Sequence, residues 1–293
     1  MLLIGHGDEI VYRKAYGNRS VQPQKTPMTP DTIFDLASVS KVVGTATSVV
    51  LLAERGKISY SDKVSKYLPA FAANDKADIT IEQLLLHCAG LIPDNSLKDY
   101  ASGPAKSWEN IFNLKTAYPP GTRFNYSDVG YMVLGEIVRV ASGKPLDGSA
   151  REEMFKALGM KDTTYRPGKT LKARCAPTGQ REGRWMIGEV HDPRAYALGG
   201  VAGHAGLFAT ADDLARYCRM ILNNGALDGT RVLSEASVRE MTKCRYLPGA
   251  NGRGYGWDID TGYSLSLIHI SEPPRLLSIS YAVFCLNKKK STI

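Results

Sequence analysis

Two apolar stretches of helical length stand out from an otherwise mixed chain. Val42 to Ala53 reads VVGTATSVVLLA and runs into Glu54-Arg55-Gly56, with a glycine just after the last periodic residue. That pattern predicts a buried helix with a glycine stop. Tyr131 to Val140 predicts a second, ended by Ser142-Gly143-Lys144-Pro145. A third is predicted over Thr210 to Asn223, with Thr210 as cap and Asp213 at the third helical position, a variant of the capping box. At the start, Leu2 to Ile4, a Gly5-His6-Gly7-Asp8 turn and Glu9 to Tyr16 read as a β-hairpin. The organisation expected is α+β. An α/β portion begins with the hairpin, a mainly helical portion covers about 60–165, and the chain returns toward the sheet through 183–206. Residues 1–264 contain no internal repeat and no low-complexity linker.

Chemistry enters at the mouth of the first helix. Ser38-Val39-Ser40-Lys41 puts a hydroxyl and an amine one turn apart on one face. Helix-start N–H groups and the positive dipole end suit a developing oxyanion. A buried lysine sheds its proton more easily, so it can activate a serine without histidine. A four-letter pattern with two wildcards also recurs by chance, and it equally fits Ser38 as an N-cap and Lys41 as a solvated first-turn residue. The second element is Pro119-Pro120-Gly121-Thr122-Arg123-Phe124-Asn125-Tyr126-Ser127-Asp128, just before the second helix. In an extended loop Tyr126 and Asp128 point the same way. A phenol beside an ammonium can be held as phenolate and serve Ser38 as general base. The plainer alternative has Tyr126 covering the core and Asp128 capping the helix.

These elements carry a resemblance. Ala37 to Lys41, the Pro-Pro-Gly-Thr-x-Phe-x-Tyr-Ser-Asp stretch, Phe155 to Met160 and Gly199 to Asp213 follow the order seen in the class C β-lactamase-related serine hydrolases. That family includes esterases, D-amino-acid peptidases and relatives of penicillin-binding proteins. The resemblance runs from about Leu3 to about Ser264. It implies a β-lactamase/DD-peptidase-like fold, with an antiparallel sheet flanked by helices. It also implies Ser38 as the acylated nucleophile, Lys41 as its proton partner and Tyr126 as general base, with no metal or cofactor. Asp128 stands where an asparagine is usual. An ionised carboxylate only accepts hydrogen bonds and favours a charged Lys41, leaving more base work to Tyr126.

The family's third element, a strand with His or Lys, then Thr or Ser, then Gly, is not found. After Ser264 the chain reads LSLIHISEPPR and then ISYAVFCL, which resemble translated sequencing adapters, followed by Lys288 to Lys290. Residues 265–293 are therefore expected to be artefact and are excluded from functional reasoning. Relatives also carry a helix before the first hairpin, so the start too is expected to be cut. His204-Ala205-Gly206 lies ahead of the expected third motif and is not taken for it. A Ser38…Asp128…His204 triad would follow the α/β-hydrolase order, but Ser38 lacks the Gly-x-Ser-x-Gly elbow of that fold.

Composition changes little. Of the net charge of +8, residues 265–293 contribute +3 (Arg275 and three lysines against Glu272), leaving +5. That is a mildly basic surface with no nucleic-acid signature. Cys88, Cys175, Cys218 and Cys244 have no ligand-like spacing, Cys285 lies in the tail, and the histidines give no metal pattern. His87 resembles a structural helix-end residue, and His191-Asp192 a polar loop pair. No stretch is long and apolar enough to span a membrane, and no signal peptide is read at Met1. The expected partner is a small ester, amide or peptide substrate. The expected activity is its hydrolysis through a Ser38 acyl-enzyme, of carboxylesterase or D-amino-acid-peptidase type rather than true β-lactamase. The alternative is a penicillin-sensing or inactive binding module that acylates without turnover. With the third motif missing, weak or no activity is expected of this chain itself. If Asp128 tunes Lys41, Asp128→Asn moves the pH–rate profile of acylation; an unchanged profile removes that coupling.

Overall fold

The computed structural model describes residues 1–248 and 250–260. The adapter-like tail, the boundary at Ser264 and the expected place of the third motif all lie outside the described residues.

The first apolar run does form the central helix, in two parts. Lys41–Ala46 is a π-helical segment, and Thr47–Glu54 continues as α-helix. The widened turn is closed by Thr47, whose N–H and hydroxyl both reach the Val42 carbonyl. Such π-turns commonly mark functional sites because they re-aim the residues before them. Val43, Ala46, Val49 and Val50 are all buried in the main core. The second helix spans Asp128–Ser142, longer at its start than the apolar pattern suggested. Its cap is Ser127, whose Oγ accepts from the Gly130 N–H at 3.1 Å; Asp128 is the first helical residue and not the cap. Gly143, at φ 73°, provides the left-handed stop that the sequence predicted.

The hairpin is present as Leu2–His6 paired antiparallel with Glu9–Lys14, a tighter turn than expected. Centrally, Leu207–Ala209 is flanked antiparallel by Phe34–Asp35 and Thr164–Tyr165. Arg245–Leu247, Ala250–Arg253 and Asp258–Asp260 form a separate three-stranded antiparallel sheet. From Val64 to Phe155 the described elements are all helices or short helical turns, joined by loops. The Ala211–Leu222 helix is capped by Thr210 as predicted. Asp213 does not complete a capping box; its Oδ2 accepts from the Asp162 N–H and the Thr163 hydroxyl, both at 2.8 Å.

The Gly199–Gly206 segment is wedged between the two long helices. Thr45 Oγ1 donates to the Gly203 carbonyl at 2.7 Å. A Cβ on Gly203 would lie 1.8 Å from the Tyr131 carbonyl oxygen and 2.9 Å from the Gly135 nitrogen, all rigid backbone. Only a glycine lets the loop approach the helix this closely, and that approach delivers His204 to the site. Gly203→Ala is expected to lower stability by about 3 kcal/mol, the cost of overpacking against backbone. Urea unfolding of the variant measures it.

Candidate active site

Ser38 sits where strand becomes helix. Phe34–Asp35 pairs with the Leu207 strand, and the Leu36 N–H continues that pairing to the Leu207 carbonyl at 2.9 Å. Ala37 then turns the chain at φ 46°, an unfavourable left-handed conformation for a residue with a Cβ. Asp35 holds it there: Oδ1 accepts from the Ala37 N–H at 2.9 Å and Oδ2 from the His191 N–H at 2.7 Å. Burial pushes the Asp35 carboxyl up, against the pull of those two bonds. Ser40, the other tetrad serine, is fully buried and its Oγ accepts from the Leu207 N–H at 3.0 Å. Ser40 is thus a structural anchor, which leaves Ser38 exposed at the tip of the turn.

The helix-start N–H groups expected to serve an oxyanion are mostly taken. Val39, Ser40 and Lys41 donate to the carbonyls of Leu36, Ala37 and Ser38, each at 3.0 Å. The Ala37 N–H goes to Asp35 Oδ1, so among the described residues the Ser38 N–H is the one in this turn with no hydrogen-bond acceptor. The alternative of Ser38 as a helix cap is not what forms.

Lys41 is buried, with 3% of its side chain exposed, and its ammonium is the hub of the site. It lies 2.6 Å from Asp128 Oδ1, a charge contact rather than an aligned hydrogen bond. It donates to Ser38 Oγ at 3.1 Å and to the His204 carbonyl at 3.2 Å. The rings of Tyr126 and Tyr131 lie 4.9 Å and 5.9 Å from it. All four residues singled out from sequence (Ser38, Lys41, Tyr126, Asp128) therefore meet. Their arrangement differs in one respect: the ammonium faces the Tyr126 ring, while its anionic partner is Asp128. Tyr126 is partly exposed and stacks on His87, whose ring centroid is 4.4 Å away.

Two residues read from sequence as incidental, His204 and Asp192, also belong here. His204 is buried, and its Nε2 pairs with Asp192 Oδ1 at 2.9 Å. Asp192 also accepts from the Ala195 N–H at 2.7 Å, capping the short Pro193–Ala197 helix. His191-Asp192 is thus no mere polar loop, and a serine–aspartate–histidine relay is not assembled, since Lys41 is the partner of Ser38. Asp128, Asp192 and His204 do bring three ligand-capable atoms within 4.8 Å of one another. A divalent ion there would compete with the Lys41 ammonium already against Asp128 and with the histidine on Asp192. Asp94, nearby, has its carboxyl raised by burial and by the charges of Asp128 and Asp192, against the opposing pull of Arg194.

A model of the beta-lactamase family matches residues 1–275. The chain belongs to that family. It is 34% identical over 73% of its length to an N-acetylmuramyl-L-alanine amidase of Bacillus subtilis (strain 168), covering 55% of that protein. It is 32% identical over 82% of its length to a protein of Escherichia coli (strain K12) named as a candidate D-alanyl-D-alanine carboxypeptidase, covering 64% of it. The chain thus spans between about half and two thirds of these relatives. Its fold superposes with a TM-score of 0.72 on an octameric penicillin-binding protein homologue from Pyrococcus abyssi, at 24% identity, covering 87% of this chain and 59% of that one. The α+β architecture expected from the motifs is the architecture of this family member.

Burial pushes the Asp192 carboxyl up, but the His204 hydrogen bond and charge, the Ala195 N–H and Arg194 outweigh it and hold it at about 2. A depressed carboxylate contributes stability that is present above its ordinary value near 3.8 and lost as pH falls toward 2. Asp192→Asn keeps the cap but removes that charge. It is expected to cost about 2 kcal/mol at pH 5 and little at pH 2, read from urea midpoints at the two values.

Proposed function

We propose that this chain carries the acylating site of a serine hydrolase for small esters or D-amino-acid amides and peptides. Ser38 is the nucleophile of this reading. The observation behind it is the Lys41 ammonium, buried against Asp128 and donating to the one exposed hydroxyl on a strained strand-to-helix turn. Surface lysines do not take such positions; burial of a charge is tolerated here only because Asp128 and two oxygen acceptors compensate it.

The chemistry follows from these contacts. Attack forms the bond from Ser38 Oγ to the acyl carbon as the Oγ–H bond breaks. The Ser38 N–H stabilises charge on the carbonyl oxygen. Lys41 is a donor to Oγ in this arrangement, so the proton needs a separate acceptor; in this reading that base is Tyr126, whose ring lies 4.9 Å from the Lys41 ammonium. The proton passes to the departing alkoxide or amine when its bond to the acyl carbon breaks. Water then attacks the acyl-enzyme and releases the acid, regenerating Ser38. Asp128 in place of an amide gives the site a fixed negative charge and no donor toward the acyl chain. That favours small acyl groups over substrates needing a side-chain amide contact. The peptide-linked names of the two curated relatives support an amide or peptide substrate as readily as an ester.

The test is burst kinetics on p-nitrophenyl acetate with intact-mass detection of the adduct. A hydrolase gives a burst and then steady turnover; a sensing module gives the burst alone. Ser38→Ala is expected to abolish the adduct, and Lys41→Ala to slow acylation by on the order of 100-fold or more. An adduct that survives in Ser38→Ala overturns the assignment.

A further inference from the structure

His87 is a residue the proposed chemistry does not use, yet it is unusually constrained. It is buried, with 3% exposure, and its backbone adopts φ 57°, the left-handed region that disfavours side-chain-bearing residues. Structures keep such conformations where the surroundings fix them for a purpose. Here the surroundings are the residues that carry the candidate base. The His87 carbonyl accepts from the Asn125 N–H at 2.8 Å. Its Nδ1 accepts from the Ser127 N–H at 3.0 Å. Its ring stacks on the Tyr126 ring, 4.4 Å between centroids and 29° between planes. Tyr131 packs nearby at 4.8 Å, and Phe124 meets it edge-on at 6.0 Å.

Three successive residues, Asn125, Tyr126 and Ser127, are thus each held by a different part of one histidine. An Nδ1 that accepts a hydrogen bond from the backbone must be unprotonated, so the ring is the neutral tautomer with its proton on Nε2. Burial pushes the imidazole well below its ordinary range, and the positive charges of Arg253 and Lys41 push it further the same way. The clamp therefore stays closed across the pH range in which an acyl-transfer enzyme works.

We infer that His87 is a positioning residue for the reaction, clamping the 125–127 backbone and stacking on Tyr126 so that the Tyr126 ring stays against the Lys41 ammonium. The inference rests on the reading of Tyr126 as base. His87 touches no reacting atom in this scheme; it acts through Tyr126 alone. This gives the histidine a role that its neighbours Leu84 to Leu86, buried core residues, do not share.

The variant to make in the full chain is His87→Asn. Asparagine tolerates the left-handed backbone and keeps an acceptor for the Ser127 N–H, but removes the ring. With p-nitrophenyl acetate, the acylation rate is expected to fall on the order of 10- to 100-fold at little-changed KM, the loss typical of a misplaced catalytic group. In the Tyr126→Phe background, which keeps the stacked ring but lacks the phenol, His87→Asn is expected to add nothing further. A wild-type rate in His87→Asn, or a full additional loss on top of Tyr126→Phe, overturns the inference. A second readout needs no activity. The Tyr126 ring signals in the NMR spectrum, identified by their loss in Tyr126→Phe, are expected to move when the stacked imidazole is removed; unmoved signals overturn the clamp even if the variant is slow. Should the wild-type chain form no Ser38 adduct, the functional reading fails while the ring-signal test still decides the placement. If His87→Asn does not fold, the ring-to-ring nuclear Overhauser contacts between His87 and Tyr126 in the wild type decide it, and their absence overturns it.

Discussion

The buried Lys41 ammonium is the constraint around which the site is built. A lone ammonium in an apolar interior is costly enough that the chain must either deprotonate it or surround it. This fold surrounds it. Asp128 supplies the opposite charge, Ser38 and the His204 carbonyl supply acceptors, and the faces of two tyrosines close the remaining sides. These partners come from three separate stretches of chain, so satisfying one cation fixes the relative position of the central helix, the Asp128–Ser142 helix and the glycine-rich loop.

That arrangement explains the tightness nearby. The glycine-rich loop has to come close enough for the His204 carbonyl to reach Lys41, and Gly203 permits it by lying against backbone of the neighbouring helix. His204 then needs its own partner, which Asp192 provides while capping a further short helix. Asp35 spans the same region from the other side, tying the turn before Ser38 to the residue beside Asp192. The polar groups thus form a continuous set from the Ser38 turn to the loop after Trp185. Buried polar groups arranged in this way specify one geometry, because an unpartnered member costs more than the pairing gains.

The family relationship places the chain beside relatives whose names point to amide and peptide bonds. The carboxylate at position 128 makes the ion pair with Lys41 that an amide cannot make. It also sits near Asp192 and Asp94, so this side of the pocket is richer in negative charge than an asparagine would leave it.

Sequence alone was enough for the elements whose signals are local. The two long helices, their glycine stop at Gly143, the Thr210 cap and the opening hairpin all follow from periodicity and capping residues, which depend on neighbours within a few positions. Ser38, Lys41, Tyr126 and Asp128 were legible because their motifs are short and ordered. Tertiary structure alone decided what those residues face. No local pattern distinguishes Ser127 from Asp128 as the cap, reveals a π-helical turn after Lys41, or shows that the ammonium meets a carboxylate and a ring face rather than a phenol oxygen. Nor could it show that His87 and the Asp192–His204 pair, scores of residues apart in sequence, converge on one site. Their roles rest on contacts between distant segments, and such contacts are set by how helices and loops pack, not by the spacing of residues along the chain.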